Sequence, residues 1–233
     1  MLKVKGLESG YGKVKIINGV EISIDKGEIV AVIGRNGVGK STFVKTLIGI
    51  LPVKAGEITF EDYGDIKKWP AHKRARMGLG YVPQGHGIFP QLTVEENLKI
   101  GSLVNEESKE NNFDRVYEYF PRIYERRKQI AGTMSGGEQA MLSIGRVLIN
   151  TPKIILLDEP SEGVQPNIVS QMGDIVLQIR EELGLTVLIV EQHLGLIQQV
   201  SDRAYVMDKG QIITPLTKAE VNDEKIVSKY LSV

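Results

Sequence analysis

The sequence predicts an α/β fold with a mostly parallel sheet, and three observations carry that expectation. Short apolar runs, "EIVAVIG", "KIILLDEP" and "TVLIVEQ", alternate with stretches of helical spacing; the first run leads through a glycine-rich turn into "KSTFVKTLIGI"; and strand signals stop between about residues 85 and 150. Continuous apolar strands fit a sheet covered by helices on both faces.

Taken in order, the opening portion differs from the rest. "KVKGLESGYG", "KIINGVEISI" and "GEITF" look like antiparallel pieces bounded by Gly and Asp turns. Beyond a further strand in "GLGYVP", the stretches "TVEENLKIG", "NFDRVYEYFPRIYERRK" and "GGEQAMLSIGRVLIN" read as helices, with a Thr cap before the first. A helical insert over about 85–150 thus separates two β-rich portions of one domain spanning 1–233. A chain of this length supports one core with an appended lobe.

Composition narrows the function. The 233 residues, 42% apolar and 25% charged, are those of an ordinary soluble globular chain. Lys+Arg and Asp+Glu cancel at 29 each, so no global field draws the chain onto nucleic acid or an acidic membrane. The absence of cysteine excludes disulfides, thiol nucleophiles and cysteine-ligated metals. Apolar runs such as "IVAVIG" and "IILL" fall far short of the roughly 20 residues a bilayer-spanning helix needs. "MLKVKGLESG" lacks the apolar region of a signal peptide, so a cytosolic protein is expected, acting on any membrane through a protein partner.

"GRNGVGKST" fits the phosphate-loop pattern G-x-x-x-x-G-K-[ST], with Gly34, Gly39, Lys40 and Ser41 set between an apolar strand and a helical run. Backbone N–H groups from Gly37 to Thr42 would wrap phosphates, Lys40 would reach the β/γ oxygens, and the Ser41 hydroxyl would ligate Mg²⁺. Arg35, Asn36 and Val38 complete the loop. "KIILLDEP" delivers Asp158 for the metal and Glu159 to polarise an attacking water, where a helix cap or solvated turn is the plainer alternative. Gln84 in "YVPQG" has an amide for Mg²⁺ and the water, though by itself it would be a turn residue. A second turn, "TMSGGEQAML", sets Ser135, Gly136, Gly137 and Glu138 at the start of a helical run, where free N–H groups and the helix dipole suit an anion.

With these motifs in this order, the chain resembles the ATP-binding cassette (ABC) family along essentially its whole length. The glutamine loop falls at Gln84, "MSGGEQ" matches the family signature and "ILLDEP" the acidic strand. The resemblance implies a P-loop NTPase with a RecA-like parallel-sheet core, an antiparallel β subdomain and an α-helical subdomain, using ATP and Mg²⁺. It also implies why one chain carries two anion cradles. Cassettes of this family pair head to tail, so Ser135, Gly136 and Gly137 of one chain, which bring a hydroxyl and N–H groups but no lysine, close over the γ-phosphate held by the other. Tyr11, in "SGYGKVKII", stands where the family places an aromatic against adenine; otherwise it is a hairpin aromatic covering the sheet edge. "SEGVQP" matches the loop that crosses the dimer interface, with Glu162 and Gln165 otherwise solvated turn residues.

The family's switch histidine falls, counting back from the "SDR" that starts the next strand, on Gln192, with His193 one place later. An amide donates to a phosphate oxygen but cannot carry the charge that His can. A one-residue shift in the turn would restore His193 to the position, and capping the following helix is a third option for it. "PAHKRARMGLGYVPQGHGIFPQLTVEENL" and "VEQ" look like ATPase subunits of importers for branched-chain amino acids, while "DEPSEGVQP" is closer to their urea and short-chain amide members. That branch implies integral-membrane permease subunits as partners, a homodimer or a heterodimer with a sister ATPase, an indirect link to a solute-binding protein, no nucleic acid, and a place on the inner face of the cell membrane. Phe89, Leu92 and "TVEENL" near Gln84 are candidates for docking the permease, unless Phe89 and Leu92 fold into the insert's own core. Competing readings are a cassette acting on nucleic acid or ribosomes, and a regulator that binds nucleotide without hydrolysing it.

Overall fold

The computed structural model describes residues 1–104 and 111–231, so positions 105–110 of the expected helical insert lie outside the described residues. The chain runs through β1 (Leu2–Ser9), β2 (Ile17–Ile24), β3 (Ile29–Ile33), α1 (Lys40–Leu47), β4 (Val53–Phe60), α2 (Ala71–Arg76) and β5 (Leu79–Val82). Helices follow: α3 (Val94–Ser102), α4 (Asn111–Tyr119), α5 (Pro121–Glu125) and α6 (Gly136–Leu148). The remainder alternates β6 (Ile154–Asp158), α7 (Pro166–Leu183), β7 (Thr186–Glu191), α8 (Leu194–Val200), β8 (Arg203–Asp208) and β9 (Gln211–Leu216), and ends in α9 (Lys218–Asn222) and α10 (Glu224–Leu231).

Two sheets result. One has the order β2-β1-β4 with antiparallel pairs, as the Gly- and Asp-bounded opening segments predict. The other has the order β5-β6-β7-β3-β8-β9, parallel throughout except for the β8–β9 hairpin. Its central strands β3, β6 and β7 are buried at every position, and the alternation of strand side chains divides them between two faces. Val30, Val32, Leu156, Leu188 and Val190 pack with Phe43, Val44 and Leu47 of α1 and with the antiparallel sheet. Ile33, Leu157 and Ile189 face the opposite way, against Leu98 of α3, Leu142 of α6, Met172 of α7 and Leu196 of α8. This two-sided burial is the reason these strands read as unbroken apolar runs.

Local chemistry sets several boundaries. Thr93 caps α3 in a reciprocal box with Glu96, confirming the expected Thr cap. "NFDRVYEYFPRIYERRK" is broken into α4 and α5, because Pro121 cannot donate into a continuing helix but fits the first turn of a new one. Arg74 of α2 is buried to 1% exposure, and its guanidinium donates to the carbonyls of Thr46, Leu47, Lys67 and Trp69. It thereby ties the end of α1 to the segment leading into α2.

Candidate nucleotide site and a separate second cradle

The strand order sets the site. Along the carboxyl edge of the parallel sheet, β5 leads to Gln84, β6 to Asp158 and Glu159, β7 to Glu191 and Gln192, and β3 to the glycine-rich loop. Ligands of open α/β sheets bind at this edge. The loop enters α1 through Gly39, whose φ of 114° lies in the glycine-favouring region. No side chain caps α1, so its first N–H groups are free for an anion. A Cβ on Gly34 would run into the Met207 carbonyl, so only glycine lets the loop pass β8. Arg35, Asn36 and Gly37 are exposed, whereas Val38 is anchored below them in the core.

Lys40 is 4% exposed, and its ammonium donates to the carbonyls of Gly34 (2.8 Å) and Arg35 (3.0 Å) and pairs with Glu159 Oε1 at 3.2 Å. The other Glu159 oxygen accepts from Gln84 Nε2 at 3.3 Å. Glu159 holds a positive φ of 48°, a strained conformation for a residue with a side chain and one found at functional turns. Ser41 Oγ donates to Asp158 Oδ1 at 2.9 Å, and the Tyr81 hydroxyl to Oδ2 at 3.2 Å. Burial pushes the Asp158 carboxyl above its usual range, against the lowering pull of those two bonds, and burial also pushes the Tyr81 phenol up. Tyr11, half exposed, lines a hollow of about 210 Å³ with Gly37, Lys40, Ser41, Thr42 and Glu159. A hydroxyl, a carboxylate and an amide at the mouth of a phosphate cradle fit Mg²⁺, which takes one or two carboxylates, few other protein oxygens, and phosphate and water at its remaining positions.

The second turn lies elsewhere. Ser135, Gly137 and Glu138 line a different hollow with Arg126, Asn167 and Ile168. Ser135 caps α6, accepting from Glu138 N, while the Glu138 carboxylate accepts from Ser135 N and Oγ and pairs with Arg126 at 3.0 Å. Glu138 therefore builds this turn, and the groups left for an anion belong to Ser135, Gly136 and Gly137. At the switch, His193 caps α8, its Nδ1 accepting from Leu196 N at 3.2 Å, whereas the exposed Gln192 side chain has no hydrogen-bond partner among the described residues. Glu162 and Gln165 sit exposed in the turn before α7. Phe89 is 43% exposed beside a groove of about 560 Å³ whose walls include Ile48, Ile100 and Arg146; Leu92 is half-buried.

Two residues escaped the sequence reading, Tyr81 and Glu191. Glu191 ends an apolar strand as Asp158 does, and that repeated pattern was a signal available in "VLIVEQ" beside "IILLDEP".

A phosphate loop whose lysine meets a buried acid, beside a hydroxyl–carboxylate pair at the next strand end, defines a P-loop ATPase. The family model described as "ABC transporter" matches residues 17–162, and the chain belongs to that family. It is 42% identical over 233 residues to the high-affinity branched-chain amino acid transport ATP-binding protein BraG of Pseudomonas aeruginosa, covering 99% of both chains. It is 37% identical to the probable branched-chain amino acid transport ATP-binding protein LivF of Archaeoglobus fulgidus, covering 91% of this chain and 90% of that one. The lipopolysaccharide export ATP-binding protein LptB of Escherichia coli is 36% identical, over 99% of this chain and 96% of its own. A nucleotide-free cassette of an ABC transporter superposes with a TM-score of 0.87 at 28% identity, over 100% of this chain and 99% of that one, and another in its ADP conformation with 0.86 at 30%, over the same shares. The expected RecA-like core with its antiparallel β portion and helical portion is thus the observed fold, and the chain is an ATPase subunit of a transporter. Among the described residues no helix is long and apolar enough to cross a membrane.

Proposed function

We propose that the chain is the ATP-hydrolysing subunit of an importer for branched-chain amino acids, working as a head-to-tail pair on permease subunits at the inner face of the cell membrane. The observation that carries the pairing is the division of anion-binding groups between two hollows that share no residue. Lys40 and the free N–H groups at the start of α1 hold the phosphates, and Tyr11 takes the adenine. Ser41, Asp158 and the Gln84 amide hold Mg²⁺, which supplies charge neutralisation on the phosphates. Glu159, freed from Lys40 as the γ-phosphate takes over that ammonium, orients and deprotonates the attacking water. Gln192 donates to the γ-phosphate, and Ser135, Gly136 and Gly137 of a second copy or a sister ATPase cover it. The exposed Phe89 and its groove receive the permease, which links this subunit indirectly to a solute-binding protein.

Full-length similarity to BraG supports branched-chain amino acids over the urea or short-chain amides suggested by "DEPSEGVQP". The test is purification of the tagged chain from detergent-solubilised membranes with mass spectrometry, followed by uptake of labelled leucine and urea into vesicles of the recovered complex. Co-purified permease with ATP-dependent leucine uptake is the expected result. Export-type membrane partners, as the likeness to LptB would give, or ribosomal partners alone, would overturn it.

A further inference from the structure

Glu191 ends β7 with 1% exposure, and among the described residues no ion pair includes it. A buried carboxylate without a cation is costly unless donors saturate it. Here they do. Oε2 accepts from Ser161 Oγ (2.9 Å) and Ser161 N (3.3 Å), while Oε1 accepts from Gln192 N (2.8 Å) and His193 N (3.0 Å). Each oxygen therefore serves a different loop. Ser161 opens the turn through Gln165 that follows Asp158 and Glu159, and Gln192–His193 is the turn leading into α8. Neither loop needs a negative charge for its own folding, since α8 has its cap from His193 and α7 starts with Pro166 at its first turn. A carboxylate alone offers two oxygens that each accept two bonds in this geometry; an amide or hydroxyl cannot serve both loops.

We infer that Glu191 is a positioning residue that couples the 161–165 loop to the Gln192 turn, so that the placement of the γ-phosphate-facing amide depends on the conformation of the loop at the paired surface. The inference rests on the reading of Gln192 given above. A partner pressing on the loop shifts Ser161, and the shared carboxylate carries that shift to the backbone of Gln192. Glu191 itself touches no substrate.

The test compares steady-state Mg-ATP hydrolysis and melting of the full chain for Glu191→Ala, Glu191→Gln, Ser161→Ala, Gln192→Ala and the doubles Glu191→Ala/Gln192→Ala and Glu191→Ala/Ser161→Ala. Glu191→Ala should lower kcat about tenfold or more with KM within about twofold, and Glu191→Gln, which keeps one accepting oxygen, should recover part of the loss. In both doubles the losses should fail to multiply, because each pair acts as one unit. Should Glu191→Ala not fold, Glu191→Gln and Ser161→Ala still carry the comparison, since each leaves half or more of the bonds in place. Full-speed Glu191→Ala, or losses that multiply in the doubles, would overturn the inference and leave the ATPase reading intact. A slow Glu191→Ala beside a full-speed Gln192→Ala would overturn the reading of Gln192 and the coupling through its turn together.

Discussion

Replacing Glu159 by Gln separates water activation from nucleotide binding, and the structure allows both effects to be sized. The pair with Lys40 is nearly dry, at 3% and 8% side-chain exposure, and deleting one partner of such a pair outright costs about 3–5 kcal/mol. Gln keeps the shape and one accepting oxygen, and Lys40 keeps the carbonyls of Gly34 and Arg35, so the expected loss is only about 1–2 kcal/mol. For a chain of this size that lowers Tm by roughly 2–8 °C. Turnover should fall far more, by about a hundredfold or beyond, which is the usual contribution of a positioned base. Phosphate release at saturating Mg-ATP, a nucleotide titration and light scattering make the assay. The variant should bind ATP and accumulate as a dimer; adding Ser135→Asp, which still caps α6 but faces the partner's γ-phosphate with a charge, should return it to monomer. Gly137→Asp is a poorer probe, because a Cβ there meets Ile168 Cγ2 at 2.6 Å and would force that side chain or the start of α6 aside. A kcat within tenfold of the unmodified chain would refute the role of Glu159, and a double variant still dimeric in ATP would refute head-to-tail pairing.

Tyr11→Ala should weaken ATP binding roughly fivefold to a hundredfold, the range for losing one base-stacking aromatic, whereas Tyr11→Phe should leave it near normal in the same titration. Arg74→Met leaves the carbonyls of Leu47, Lys67 and Trp69 without their donor, while Thr46 keeps its bond from Gly49 N, and should cost about 3–5 kcal/mol in denaturant unfolding, with ATP turnover preserved in the folded fraction. Burial holds the His86 imidazole below its usual range, only partly offset by the Glu162 charge, so its neutral form stabilises the fold above the unfolded value of about 6.5 and that contribution is lost as pH falls through the lower folded value. Stability measured against pH should therefore flatten on the acid side in His86→Asn, Asn being able to keep the φ of 66°. Chelating Mg²⁺ should weaken ATP binding at least about tenfold in a fluorescent-nucleotide titration, and equal affinity would refute the metal assignment.

The parts of this molecule legible in the sequence are those whose physics is local. The phosphate loop needs glycine where φ is positive and where β8 passes closely, and it needs a strand before and a helix after, all visible within about fifteen residues of Gly34. The two-sided burial of β3, β6 and β7 writes itself as unbroken apolar runs. What stayed hidden depends on pairings distant in sequence. Nothing near Arg74 foretells that it closes off the end of α1, and nothing in "VEQ" says that its glutamate accepts from Ser161, thirty residues earlier. The capping role of His193 was hidden in the same way, since its ring can reach Leu196 N only once the register of α8 is fixed.

Charge balance at the sheet edge explains why the site takes its form. Asp158, Glu159 and Glu191 are all buried on adjoining strand ends, and Lys40 is the one cation that a salt bridge brings to them among the described residues. Such an edge repels a bare nucleotide tail, and burial already disfavours the charged form of Asp158. Three features offset the repulsion, each with a separate geometric origin. The charge of Glu191 is stabilised locally by backbone donors and the Ser161 hydroxyl, Glu159 is held by Lys40 and Gln84, and the uncapped start of α1 supplies positive potential without any further side chain. Asp158 is the remaining acid: its hydrogen bonds come from the neutral hydroxyls of Ser41 and Tyr81, Lys40 and Lys45 act on it only through space, and its carboxylate is what a divalent ion carried by the phosphates would meet. The same reasoning bears on the second cradle: with Glu138 turned inward to Arg126 and Ser135, that surface offers donors without net charge, as the proposed closure over a partner's γ-phosphate requires.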